Sequence, residues 1–120
     1  KSENKIINIK GRNFEIKNFF EGLARFDFIE LCDQNIGAED FIEVANNCSF
    51  IFIENLPDFS ENNSNQQHRF ITLIDILYEK RIPLLITSEK SLNKINSSTS
   101  LKEPFKRTLS RLNELTSITF

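Results

Sequence analysis

Residues 67–88, QHRFITLIDILYEKRIPLLITS, hold a helix period and a strand period back to back, and that junction narrows the possible folds more than any other stretch. Phe70, Leu73, Ile74 and Leu77 recur at i, i+3, i+4 and i+7, an apolar stripe along one side of a helix, with Thr72, Asp75 and Glu79 on the other. Lys80 and Arg81 follow, cations suited to a helix C-terminus. The pattern then switches to Ile82-Pro83-Leu84-Leu85-Ile86, an unbroken apolar run that predicts a central parallel strand buried on both faces. It closes in Thr87-Ser88. Two hydroxyls are thereby delivered at the carboxyl end of a strand, where ligands of open α/β sheets gather.

A second apolar run, Ser49 to Ile53, is closed by Glu54-Asn55-Leu56-Pro57. The long helix between the two runs makes a β-α-β crossover, whose strands are parallel. Asp58 to Gln66 between them reads as a polar surface loop. Upstream, residues 5–10 and 13–17 flank Gly11-Arg12 as a hairpin, with Phe14 and Ile16 on one face. After Gly22, Leu23 to Ile29 alternates as a half-buried strand through Ala24, Phe26 and Phe28. A turn-rich connector over 33–37 leads to a helix over 38–47 bearing Phe41, Ile42, Val44 and Ala45. Downstream, 89–101 reads as a loop with little apolar content. Glu103-Pro104 opens a last helix over 103–115 with Phe105, Leu109 and Leu112 on its buried side, and 117–120 reads as a terminal strand. The expected class is α/β: a β-rich N-terminal portion, with hairpin and strand in residues 1–30, then a parallel β-α-β unit with flanking helices over 38–120. Together they make a single domain.

The 15 Lys+Arg against 17 Asp+Glu give a net charge of -2, so no global basic field argues for nucleic acid or an acidic membrane. No apolar run approaches the roughly 18 residues of a membrane span. Cys32 and Cys48 have neither metal-ligand spacing nor secreted-scaffold density and read as reduced, buried thiols of an intracellular chain. Lys1 is not an initiator, and the chain reads as a piece of a longer protein.

No complete catalytic constellation can be assembled. His68 is the single histidine and reads as a solvated surface residue. None of the three glycines precedes Lys-Ser/Thr, so these 120 residues carry no phosphate-cradling Walker A loop. Even so, an apolar strand closed by Glu54-Asn55, a helix, a strand closed by Thr87-Ser88 and a helix bearing Ser110-Arg111-Leu112 resemble the layout of AAA-type ATPases. In those enzymes such positions hold metal-site acids, a γ-phosphate sensor and an arginine that stabilises transition-state charge. Glu54-Asn55 offers one carboxylate where a working site presents two acidic groups, and no metal ligands are expected. Thr87 and Ser88 are sensor-like, or else cap the turn before Glu89. Arg107 and Arg111 are candidates for an arginine finger or sensor. Ordinary helix pairs with Glu103 and Glu114, worth about 0.3–0.5 kcal/mol each and common on exposed helices, are the competing and simpler explanation.

Taken together, GR at 11–12, ARFDFIELC at 24–32, GAEDF at 37–41, FIFIENLP at 50–57, RFITLIDILYE at 69–79 and FKRTLSRLNEL at 105–115 resemble the C-terminal part of the Afg-like ATPases, the family that includes the cell-division protein ZapE. The sequence departs from the family pattern at Phe41, His68 and Leu115. The resemblance implies a P-loop ATPase whose Walker motifs lie in an N-terminal half outside this chain, with Mg-ATP as cofactor of the full-length protein and homo-oligomerisation as an option. It also implies a protein client such as the FtsZ division polymer, or quality control of membrane proteins, and a location in the cytoplasm or peripheral to the inner membrane. The family-matching positions are Arg69, Asp75, Tyr78, Arg107, Ser110, Arg111 and Glu114. A non-catalytic module that recognises a client protein is the competing reading.

Overall fold

The computed structural model describes residues 3–33 and 36–117. Strands β1 (Glu3–Ile9) and β2 (Arg12–Phe20) pair antiparallel around Lys10 and Gly11, both at positive φ, the two-residue turn that right-twisted hairpins favour. A bulge sets a step of three residues in β2, from Ile16 to Phe19, against a step of two in β1, from Glu3 to Lys5, which restores Phe19 to the same side as Phe14 and Ile16. Strand β3 (Leu23–Asp27) returns antiparallel to β2 after Gly22, whose φ is +89°. A Cβ there would lie 2.6 Å from Ser49 Oγ, and the Gly22 carbonyl accepts the N–H groups of Ser49 and Phe50. Glycine therefore lets the next strand close onto this turn.

The strand expected to reach Ile29 stops at Asp27. Asp27 accepts the Ile29 N–H at 3.1 Å and Glu30 accepts the Asp27 N–H at 2.8 Å, a reciprocal cap that starts helix α1 (Phe28–Cys32). Phe28 is thus buried from a helix instead of a strand. Helix α2 (Ala38–Asn47) lies where expected, with Asp40 accepting the Gly37 N–H at 2.8 Å; Phe41, Val44 and Ala45 are buried, while Ile42 is exposed. Then come β4 (Phe50–Leu56), α3 (Ser64–Glu79), β5 (Leu84–Ser88) and α4 (Lys102–Thr116).

The sheet runs in sequence order, β1 to β5, with β3, β4 and β5 parallel. The crossover strands are parallel, as the two apolar runs required. Only one sheet face is covered, however. Ala24, Phe26, Ile51, Ile53 and Leu84 are buried under the helices, whereas Leu85, one residue along, is 50% exposed. Far from being central, β5 is an edge strand, and the expectation of burial on both faces fails because the helices all serve the same side.

Helix α3 buries Phe70, Leu73, Ile74 and Leu77 as its period demands. The segment expected to be a polar surface loop does not stay outside. Phe59, only 2% exposed, inserts among Phe28, Phe70 and Phe105 at centroid separations of 5.5–6.1 Å, and a 3-10 turn at Glu61–Asn63 leads into α3. The loop over 89–101 is likewise anchored, by Ile95 and by the buried Ser98, whose N–H is accepted by the buried Gln67 side chain at 3.1 Å. In α4, Phe105, Leu112 and Leu115 are buried and Leu109 half-buried. Ser117 lies in a turn, and the rest of the expected terminal strand is outside the described residues.

Candidate functional site

The carboxyl ends of β4 and β5 frame a cleft of about 410 Å³ lined by Asn55, Leu56, Pro57, Thr87, Ser88 and Glu89. Its floor depends on a register irregularity between Ile53 and Leu56, where Asn55 takes φ +65°, a conformation Asn tolerates better than most side chains. From there the Asn55 N–H donates to Thr87 Oγ1 at 3.0 Å and its side-chain amide to Asp27 at 2.6 Å, stapling the ends of three parallel strands. Thr87 accepts this bond and keeps its own proton to donate. The Ser88 hydroxyl is turned back onto the Lys90 carbonyl.

Little in this cleft can neutralise an anion. Lys90 is held by Asp58 at 2.9 Å, and Glu89 adds a negative charge to the lining. Asp58 also accepts both the backbone and the side-chain N–H groups of Asn96, and these bonds, with Lys90 first, lower its pKa to about 2. Glu54 faces Arg25 at 2.8 Å, and the Arg25 guanidinium lies 5.7 Å from the Phe52 ring centroid. The hydrogen bond to Glu54 raises the Arg25 pKa. Among the described residues no three His, Cys, Asp or Glu side chains gather to hold a metal ion.

Charge chemistry collects instead between α3 and α4. Asp75 on α3 accepts Arg111 Nη1 at 2.5 Å, and Arg107 Nη2 stands 3.9 Å from its other oxygen. The Arg111 guanidinium is 4.6 Å from the Tyr78 ring centroid and that of Arg81 is 5.1 Å from it. The Tyr78 hydroxyl donates to Glu114 at 3.1 Å, and Arg81 approaches the same carboxylate at 3.8 Å. Neither glutamate keeps the arginine expected for it along α4: Glu103 takes Lys106 of the same helix, and Glu114 takes Tyr78 and Arg81 across the helix pair. Arg81, read from the sequence only as a cation at a helix end, joins this cluster as well; it stands three residues after Tyr78, a spacing that brings a cation onto a ring.

Asp75, Tyr78, Arg107, Arg111 and Glu114 thus form one cluster. Arg69 lies apart, donating to the Cys32 carbonyl at 3.0 Å and so capping α1, and Ser110 is exposed on α4. His68 is exposed, and Cys32 and Cys48 are free and buried. Burial raises both thiol pKa values, that of Cys48 to about 11, against a smaller lowering by Arg69 at Cys32 and by Lys5 at Cys48. Neither Arg107 nor Arg111 lines the cleft at Thr87 and Ser88.

The sequence model of the AFG1-like ATPase family matches residues 1–120. This chain belongs to the AFG1-like ATPases. Its relatives include lactation elevated protein 1 homolog B of Danio rerio, 29% identical over 91 residues, covering 76% of this chain and 18% of the relative. The cell division protein ZapE of Escherichia coli K12 is 30% identical over 90 residues, covering 75% of this chain and 24% of ZapE. The chain therefore spans no more than about a quarter of the length of these AFG1-like relatives. No solved structure matches.

Proposed function

We propose that this chain is the C-terminal part of a longer ATP hydrolase that holds Mg-ATP outside these 120 residues. In this reading α4 presents Arg107 to nucleotide bound by that other part or by a neighbouring subunit. The observation that carries it is the unequal engagement of the two arginines. Arg111, 27% exposed, is committed to Asp75 and stacked on Tyr78, whereas Arg107 is 60% exposed and held only at 3.9 Å. Three guanidiniums, of Arg81, Arg107 and Arg111, share two carboxylates, of Asp75 and Glu114, so one positive charge is left over for an outside anion. Arg111 then fastens the helix pair and sets the position of α4, and Arg107 is the arginine in reach of a phosphoryl group. Work on a protein client, in cell division as the name of the ZapE relative suggests or in protein quality control, is the biological setting; the FtsZ polymer is one such client. The cytoplasm or the periphery of the inner membrane is the location that fits, and no helix of the described residues is long and apolar enough to cross a membrane.

The competing reading, a non-catalytic client-binding module, is favoured by the single, arginine-bound carboxylate at the end of β4. Steady-state turnover of the longer polypeptide separates the two. Arg107→Ala is expected to lower turnover on the order of 10³-fold with nucleotide binding nearly intact. Unchanged turnover supports the client module. By calorimetry the 120-residue chain alone is expected to bind Mg-ATP no better than about millimolar, since none of its three glycines opens a Lys-Ser/Thr loop whose backbone N–H groups would cradle a polyphosphate.

A further inference from the structure

Parallel strands are ordinarily covered on both faces, because crossover helices and neighbouring layers bury them from either side. Here β3, β4 and β5 are parallel and only the helix side is covered. The other side is an apolar surface in register: Phe20 stands opposite Leu23, and Phe52 opposite Leu85. Leu23 is 48% and Leu85 50% exposed. Between β2 and β4 this surface dips into a groove of about 300 Å³ whose lining includes Phe20, Leu23, Phe50 and Phe52. Arg25, the charged residue in the groove lining, is already bound to Glu54 and lies over Phe52, so an apolar occupant of the groove would not strand it. Along the outer edge of β5 no strand of the described residues is paired, so the sheet can also be continued.

We infer that this open face is the seat of the rest of the AFG1-like polypeptide, which covers Phe20, Leu23, Phe52 and Leu85 with an apolar layer of its own. The inference rests on the reading of the chain as part of a longer protein. Three-quarters or more of each curated relative lies outside the matched region, so ample chain exists to supply that layer. A covalently connected segment meets the face at an effective concentration of order millimolar, an advantage that neither a second copy nor a separate client has. A contiguous exposed apolar surface of this kind, groove and in-register rim together, marks a site of contact.

Cysteine accessibility in the full-length polypeptide tests this. Leu23→Cys and Leu85→Cys change half-exposed positions and leave the core of this chain intact; Glu103→Cys on α4, at a highly exposed site, is the reference. Cys32 and Cys48 are buried and contribute a slow background. Maleimide labelling of the Leu23→Cys and Leu85→Cys proteins is expected to be at least about tenfold slower than that of Glu103→Cys, and to stay so over a hundredfold dilution. Labelling as fast as the reference overturns the inference. Protection that vanishes on dilution overturns it in favour of a second copy, and protection that appears only when a client protein is added overturns it in favour of the client. ATP turnover of the same preparations keeps the two readings apart: protection without turnover sinks the hydrolase and leaves the docked face standing.

Discussion

Arg111 Nη1 lies 2.5 Å from Asp75 Oδ1, so an arginine of α4 and an aspartate of α3 bind each other across 36 residues of sequence. With the Tyr78 ring beneath the guanidinium, the contact joins the helix that crosses between the parallel strands to the helix that ends the described chain. Charge geometry at a helix crossing, and not the spacing of residues along either helix, selects the pair.

Arg111→Ala and Asp75→Ala are therefore expected to be non-additive in a double-mutant cycle, with a coupling of about 1 kcal/mol for so partly exposed a pair. Urea unfolding of both single variants and the double variant measures it. Arg111→Lys should recover only part of the coupling, since an ammonium keeps the charge but stacks less well on Tyr78. Strict additivity would show that the pair contributes nothing to the α3–α4 contact.

Phe59→Ala should be among the most damaging single changes in the chain, at about 3–5 kcal/mol, because it empties a site walled by Phe28, Phe70 and Phe105. The neighbouring Asp58 and the Phe59 N–H, which donates to the Asn96 carbonyl at 3.2 Å, hold the segment in place and limit collapse into the void. A midpoint shift in urea equivalent to less than about 1 kcal/mol would mean that the ring is not packed as described.

Asp58 ties the segment after β4 to the loop after β5, and its pH dependence follows from the direction of its pKa, lowered from 3.8 to about 2. A carboxylate whose folded pKa lies below the unfolded one stabilises the fold fully above the unfolded value and ceases to do so as pH falls through the folded one. Asp58 is substantially exposed, so solvent screens its contribution to about 1 kcal/mol or less. Thermal midpoints of wild type and Asp58→Asn should therefore differ at pH 7 and converge between pH 4 and pH 2. Parallel curves over that range would rule out the clasp.

Sequence alone determined the elements whose period is local. The helix stripe of Phe70, Leu73, Ile74 and Leu77, the two apolar runs that became β4 and β5, and the hairpin around Gly11 all lie where their spacing puts them, because each records a face that the element itself must bury. The α1 cap was also legible, as Asp27 and Glu30 three apart, but the alternation through Phe28 concealed it. The family-matching residues were likewise visible as residues; their partners were not. Asp75 could have paired along α3 or with solvent, and only the crossing of α3 and α4 brought it to Arg111. The same holds for the sheet. An apolar run cannot record which neighbours it will have, so Leu84 and Leu85 read alike in sequence and part in the fold, one under the helices and the other 50% exposed on a face left open. Phe59 shows the converse, a single aromatic in a polar stretch that became core because three other elements converged on it. Period is a property of one segment, whereas burial and charge pairing belong to the contacts between segments, and those are fixed by tertiary structure.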